Sequence, residues 1–142
     1  MTVKILLRIA SIIMLSHLIG HSFGQNRWKI DKNPVIKDVA QKMMGPKFLN
    51  MGVFRNMGDY FDGYGYSATI SMSLFVVVLW LASCAITPAN IFLNNVLLTL
   101  GIAFLALSIV EFRYFFPFAA ITTLLADLFV FISWYMLTYG KN

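Results

Sequence analysis

Four stretches of this chain are long and apolar enough to cross the hydrocarbon core of a bilayer as helices. They run from about Ile5 to Phe23, about Ser67 to Ile86, about Ile91 to Phe112 and about Phe118 to Tyr139. A helical span needs about 20 mainly apolar residues, and backbone groups in hydrocarbon must be satisfied inside a helix or a closed barrel. Each run is continuously apolar and lacks the alternation over about 10 residues that a membrane barrel strand carries. The sequence therefore predicts an all-α fold: a four-helix transmembrane bundle with a short amphipathic interfacial helix in the first loop. Composition agrees, since 59% of residues are hydrophobic and 12% charged, where soluble domains average about 45–50% and about 25%. The 142 residues make a single membrane domain, with residues 24–66 capping one face.

The connections fix which spans are neighbours. Spans two and three are joined by Thr87-Pro88-Ala89-Asn90, with Pro88 expected to open the next helix in its first turn. Spans three and four are joined by Arg113-Tyr114-Phe115-Phe116-Pro117, an aromatic turn suited to the headgroup level. Both pairs must be antiparallel. In the first loop, Asn33-Pro34 reads as a cap and first turn, and Val35, Ile36, Val39, Ala40 and Met43 recur at helical spacing opposite Lys37, Asp38, Gln41 and Lys42. Gly45-Pro46 ends that helix, which is expected to lie in the membrane interface. The rest of the loop, Met51 to Tyr66, reads as an ordered cap. Within it, Asp59 to Gly63 is expected to be a turn at the bilayer surface, because it lacks the alternating oxygen donors of a calcium loop.

The net charge of +5 is spread beside apolar spans, so it reads as topology and surface charge facing anionic headgroups, with no nucleic-acid partner. Ser22-Phe23-Gly24 resembles a signal cleavage site, but Arg8, His17 and His21 interrupt the apolar region before it, and a retained helix is expected. Arg27, Lys29, Lys32, Lys37, Lys42, Lys47, Arg55 and Arg113 flank one side and Lys4, Arg8 and Lys141 the other, which puts the first loop in the cytoplasm and both termini outside. Cys84 stands alone, so no internal disulfide is available and a buried packing role is expected. Gly20 and Gly24 match a small-xxx-small helix contact.

Ionisable groups inside a span carry the most information, since a charge at the helix centre costs roughly 2.5–3.5 kcal/mol on insertion scales. Asp127 lies near the middle of span four, and His17 and His21 share one helical face in the second half of span one. Glu111 closes span three, with Arg113 just beyond. Antiparallel topology puts His17, His21, Ser67, Ser71, Glu111 and Arg113 in the leaflet on the face that bears the first loop, with Asp127 deeper, about 13 Å below that face. Asp59, Tyr60, Asp62, Tyr64 and Tyr66 approach from above. Together they describe a polar pocket lidded by the first loop, with His17, His21, Glu111, Asp127, Arg113, Tyr60 and Asp62 as its candidate ligand-binding residues.

The arrangement of Leu7-Arg8-Ile9-Ala10-Ser11, His17-Leu18-Ile19-Gly20-His21, Phe54-Arg55, Asp59-Tyr60-Phe61-Asp62-Gly63-Tyr64-Gly65 and Phe112-Arg113-Tyr114-Phe115-Phe116-Pro117 resembles a family of small four-span bacterial membrane proteins, similar in size and layout to DoxX-like proteins. The resemblance covers nearly the whole chain. It implies a multi-pass protein of a bacterial inner membrane and carries no reaction or substrate with it.

Three functions fit these residues. The first is a pocket that binds a small polar or amphipathic ligand, an ion or a proton, since imidazole titrates near neutrality. The second is a membrane enzyme using His17 and His21 as metal or haem ligands, or as acid/base groups on a lipid-soluble substrate such as a quinone; the i, i+4 spacing suits a transition metal, but no third ligand is fixed. The third is an accessory subunit whose polar face pairs with another membrane protein. Four spans are few for a lone transporter, so a homo-oligomer or membrane-protein partner is expected.

Overall fold

The computed structural model describes residues 2–87 and 90–140. Helix α1 (Val3–Arg27) is followed by a 3-10 turn (Trp28–Ile30), α2 (Pro34–Met43), the strands β1 (Phe48–Asn50) and β2 (Val53–Arg55), and then α3 (Met57–Cys84), α4 (Ile91–Tyr114) and α5 (Pro117–Tyr139). Helices α1, α3, α4 and α5 are each long and apolar enough to cross a membrane. The chain is thus an all-α, multi-pass membrane protein, as its hydropathy dictates. It divides into two compact units, Met1–His17 with Met72–Asn142, and Leu18–Ser71.

In the first unit apolar residues face outward as well as inward. Buried positions recur every three or four residues on α4 (Leu93, Leu97, Gly101, Phe104, Ser108, Glu111) and on α5 (Ala119, Ala120, Thr123, Ala126, Asp127, Val130, Ser133). Leu7, Ala10 and Met14 of α1 and Leu79 and Ala82 of α3 complete the core. Polar residues lie on these inward faces, whereas outward positions such as Ile102, Leu105, Ile109, Ile121, Leu124 and Leu128 are apolar and exposed. Helices apolar toward the outside and polar within belong in lipid. The Ser11 hydroxyl donates to the Val76 carbonyl at 2.9 Å and so joins α1 to α3. Packing between α4 and α5 is close at Gly101, where an added Cβ would lie 2.9 Å from the Phe131 ring. Pro117 opens α5, as the aromatic turn before it predicts. Helix α4 starts at Ile91 behind Asn90, whose side chain accepts from Leu93 N at 3.0 Å. The role expected for Pro88, and the contribution of Lys141 to the charge count, lie outside the described residues. Cys84 is exposed and not buried as expected: it ends α3, and its neighbour Ser83 takes the inward position.

The second unit is more regular than a loop. Helix α2 forms as its pattern requires, with the Asn33 side chain accepting from Val35 N at 2.9 Å and Pro34 in the first turn. Two expectations need correction. Span two begins at Met57 and not near Ser67, so Asp59 to Gly63 is helix and not a turn. The cause is a reciprocal cap: Asn56 N donates to the Asp59 carboxylate at 3.0 Å and Asp59 N to Asn56 Oδ1 at 2.8 Å, which fixes the first turn despite the glycines beyond it. Before that cap, Phe48 pairs with Arg55, Leu49 with Phe54 and Asn50 with Val53 across the two-residue turn Met51-Gly52. Both turn residues have positive φ, 49° and 81°, as a tight hairpin turn demands. The close contact expected at Gly24 is absent, since an added Cβ there would meet nothing within 4 Å. Gly65 instead provides it, packed against the Gln25 side chain.

Candidate functional site

The first unit gathers three polar side chains from two helices around His17 of α1. Thr122 and Thr123, in the second turn of α5, place their hydroxyls each 3.1 Å from His17 Nδ1. The last turns of α4 bring Glu111 Oε1 to 3.6 Å from His17 Nε2. His17 is 5% exposed, Glu111 3% and Thr123 0%, so water does not solvate this pair as it would at a surface. The Thr122 hydroxyl has a single hydrogen, directed at the carbonyls of Phe118 (2.9 Å) and Ala119 (2.8 Å). Toward the imidazole Thr122 therefore serves as an acceptor when Nδ1 carries a hydrogen, while the Thr123 hydroxyl can donate when it does not, so the two threonines accommodate either tautomer. Nε2 is left as the nitrogen that faces the carboxyl group.

Asp127 lies one helical turn beyond Thr123 on the same buried face of α5. Ten residues separate it from Pro117 at the start of the helix, which places it about 15 Å along the axis. It is as buried as Glu111, and its Oδ1 has no hydrogen-bond partner among the described residues. Arg113, by contrast, is exposed at the end of α4. Another charge meets the core from α1: the guanidinium of Arg8 lies 4.9 Å from the centre of the Trp80 ring, a cation–π contact that offsets part of its desolvation.

The remaining candidates belong to the second unit. His21 Nε2 donates to the Gly65 carbonyl at 3.0 Å. Asp62 accepts from Trp28 Nε1 at 2.9 Å, from Gln25 Nε2 at 3.4 Å and from Lys29 Nζ, a knot that ties the end of α1 to the start of α3. Tyr60 accepts from Asn50 Nδ2 at 2.7 Å, stacks on Phe48, and lines an open cleft of about 240 Å³ with Arg55, Asp59, Gly63, Tyr64 and Ser67.

Of the residues singled out from sequence, the fold thus brings His17 and Glu111 together and gives His21 and Asp62 different partners. Both ring nitrogens of His17 face protein groups, and among the described residues no three His, Cys, Asp or Glu side chains stand together as a metal-binding group. Sequence reasoning missed Thr122 and Thr123. Their signal was two adjacent hydroxyls near the start of an otherwise apolar span, but threonine satisfies itself by bonding back along its own helix and so does not stand out. No protein-family description, curated protein or solved structure matches this chain.

Proposed function

We propose that this membrane protein binds and exchanges a proton at the His17–Glu111 pair, with Asp127 as a second acidic group deeper in the same unit. The observation that carries this reading is the 3.6 Å approach of Nε2 to Oε1 with Nδ1 already committed to threonine hydroxyls. In the tautomer with its hydrogen on Nδ1, Nε2 and a carboxylate would set two lone pairs against each other in a medium of low dielectric. One proton on either partner converts that repulsion into attraction. The pair is therefore built to hold one proton between a nitrogen and an oxygen, and to pass it on when a group with higher proton affinity approaches. An ionisable cluster among hydrophobic helices is costly and marks proton and ligand pathways in membrane proteins.

The test is infrared difference spectroscopy of the reconstituted protein across the range where imidazole titrates. Expected is a protonation change assigned jointly to one histidine and one carboxyl group, lost in Glu111→Gln and in His17→Ala but kept in His21→Ala. A spectrum in which His17→Ala alters nothing refutes the proposal.

A further inference from the structure

The second unit carries an open cleft that the histidine site does not involve. It is lined by Lys29, Ile30, Asp31, Lys32 and Lys37 and has a volume of about 430 Å³. The charges around it are unequally matched. Lys29 is held by Asp62, and outside the cleft Lys42 is held by Asp38 at 2.6 Å. The Asp31 carboxylate, which also lines the cleft, accepts from Asn33 N at 2.8 Å through one oxygen. Lys32 and Lys37 have no carboxylate partner among the described residues. Two lysines without a carboxylate partner thus line a cleft whose one apolar lining residue, Ile30, is 74% exposed. The cleft lies at the C-terminal end of the first candidate span, Val3–Ile30, whose last two residues line it.

We propose that this cleft binds the phosphate of an anionic phospholipid, held by Lys32 and Lys37, with the lipid's glycerol and upper acyl carbons against Ile30. Free inorganic phosphate has the same charge but nothing to place on Ile30, and a basic cluster beside a span gains its affinity from the charged membrane surface. The inference is independent of the proton site. Full-length protein released from mixed micelles of phosphatidylcholine and phosphatidylglycerol into native mass spectrometry should retain phosphatidylglycerol in preference. In the double variant Lys32→Gln, Lys37→Gln that preference should fall by roughly 30-fold, and in Lys32→Arg, Lys37→Arg it should persist. The charge-matched double variant Lys42→Gln, Lys47→Gln should keep it. Equal loss in both glutamine doubles would reduce the effect to general surface charge and overturn the site. Complete displacement of the lipid by soluble glycerol phosphate would overturn the assignment to a membrane lipid.

Discussion

His17 and His21 stand one turn apart on α1, and the two units treat them differently. In the first unit the imidazole of His17 is sealed among helices and answered by another ionisable group, Glu111, and by two threonine hydroxyls. In the second, His21 is half-buried and needs only the Gly65 carbonyl. The acidic groups repeat the contrast. Glu111 is buried beside an imidazole, whereas the Asp62 side chain keeps 20% of its surface and collects an indole, an amide and an ammonium. Inside hydrocarbon a polar group must find its partner in the protein, while near the rim water and backbone share the task.

Removing one acidic partner from each unit breaks this comparison most sharply. Glu111→Ala leaves a buried imidazole facing a methyl group, and breaking a buried pair from one side costs roughly 3 kcal/mol. Asp62→Ala removes hydrogen bonds that water can partly replace and should cost about 1–2 kcal/mol. Equilibrium unfolding in lipid-like micelles measures both. The double change His17→Leu, Glu111→Leu should recover most of the first loss, because exchanging a whole buried pair for apolar groups is far cheaper than orphaning one member. Equal costs for the two alanine variants would mean that water reaches Glu111 as freely as Asp62.

Glycines separate the units at the next level. Gly101→Ala puts a Cβ 2.9 Å from the Phe131 ring, which is wedged between helices, and overpacking there should cost roughly 1–2 kcal/mol. Gly65→Ala looks worse on distance, 2.0 Å from Gln25 Cδ. It should nevertheless be within about 0.5 kcal/mol of neutral, since the obstructing atoms are the tip of a flexible side chain and alanine gains helix propensity over glycine. Thermal unfolding of both variants settles the order. If Gly65→Ala is the more damaging, the Gln25–Asp62 contact is rigid and the second unit is as tightly packed as the first.

These contrasts also explain what could be read from residues alone. Length and hydropathy decide the four spans because hydrocarbon allows only helices or a closed barrel and these runs lack a barrel strand's alternation, and Asn33-Pro34 with the apolar spacing after it defines α2. The start of α3 escaped because Gly58, Gly63 and Gly65 read as loop, although Asn56 and Asp59 already had capping spacing. Burial need singled out His17, Glu111 and Asp127 as candidates. Which of them meet depends on helix rotation and register, which a uniformly apolar outer face does not encode: Glu111 reached His17, and His21 turned to a carbonyl instead.

The smallest expected effect lies at the hairpin tip, and its sign matters more than its size. Met51 is 96% exposed with φ 49°, a left-handed conformation that a side chain without a local hydrogen bond adopts at a cost. Asparagine tolerates that conformation, and asparagine followed by glycine is the preferred two-residue hairpin turn. Met51→Asn should therefore stabilise the hairpin by about 0.5–1 kcal/mol in detergent, read as slower amide exchange at Asn50 and Val53. Because the strand pairs lie wholly within the second unit, exchange at Thr123 and Asp127 should not change. Within a bilayer the gain should shrink, since an exposed methionine flanked by Leu49 at 61% and Phe54 at 60% exposure is a wedge suited to the interface. A gain of the same size in both media would show that the tip stays in water and that its apolar character does no membrane work.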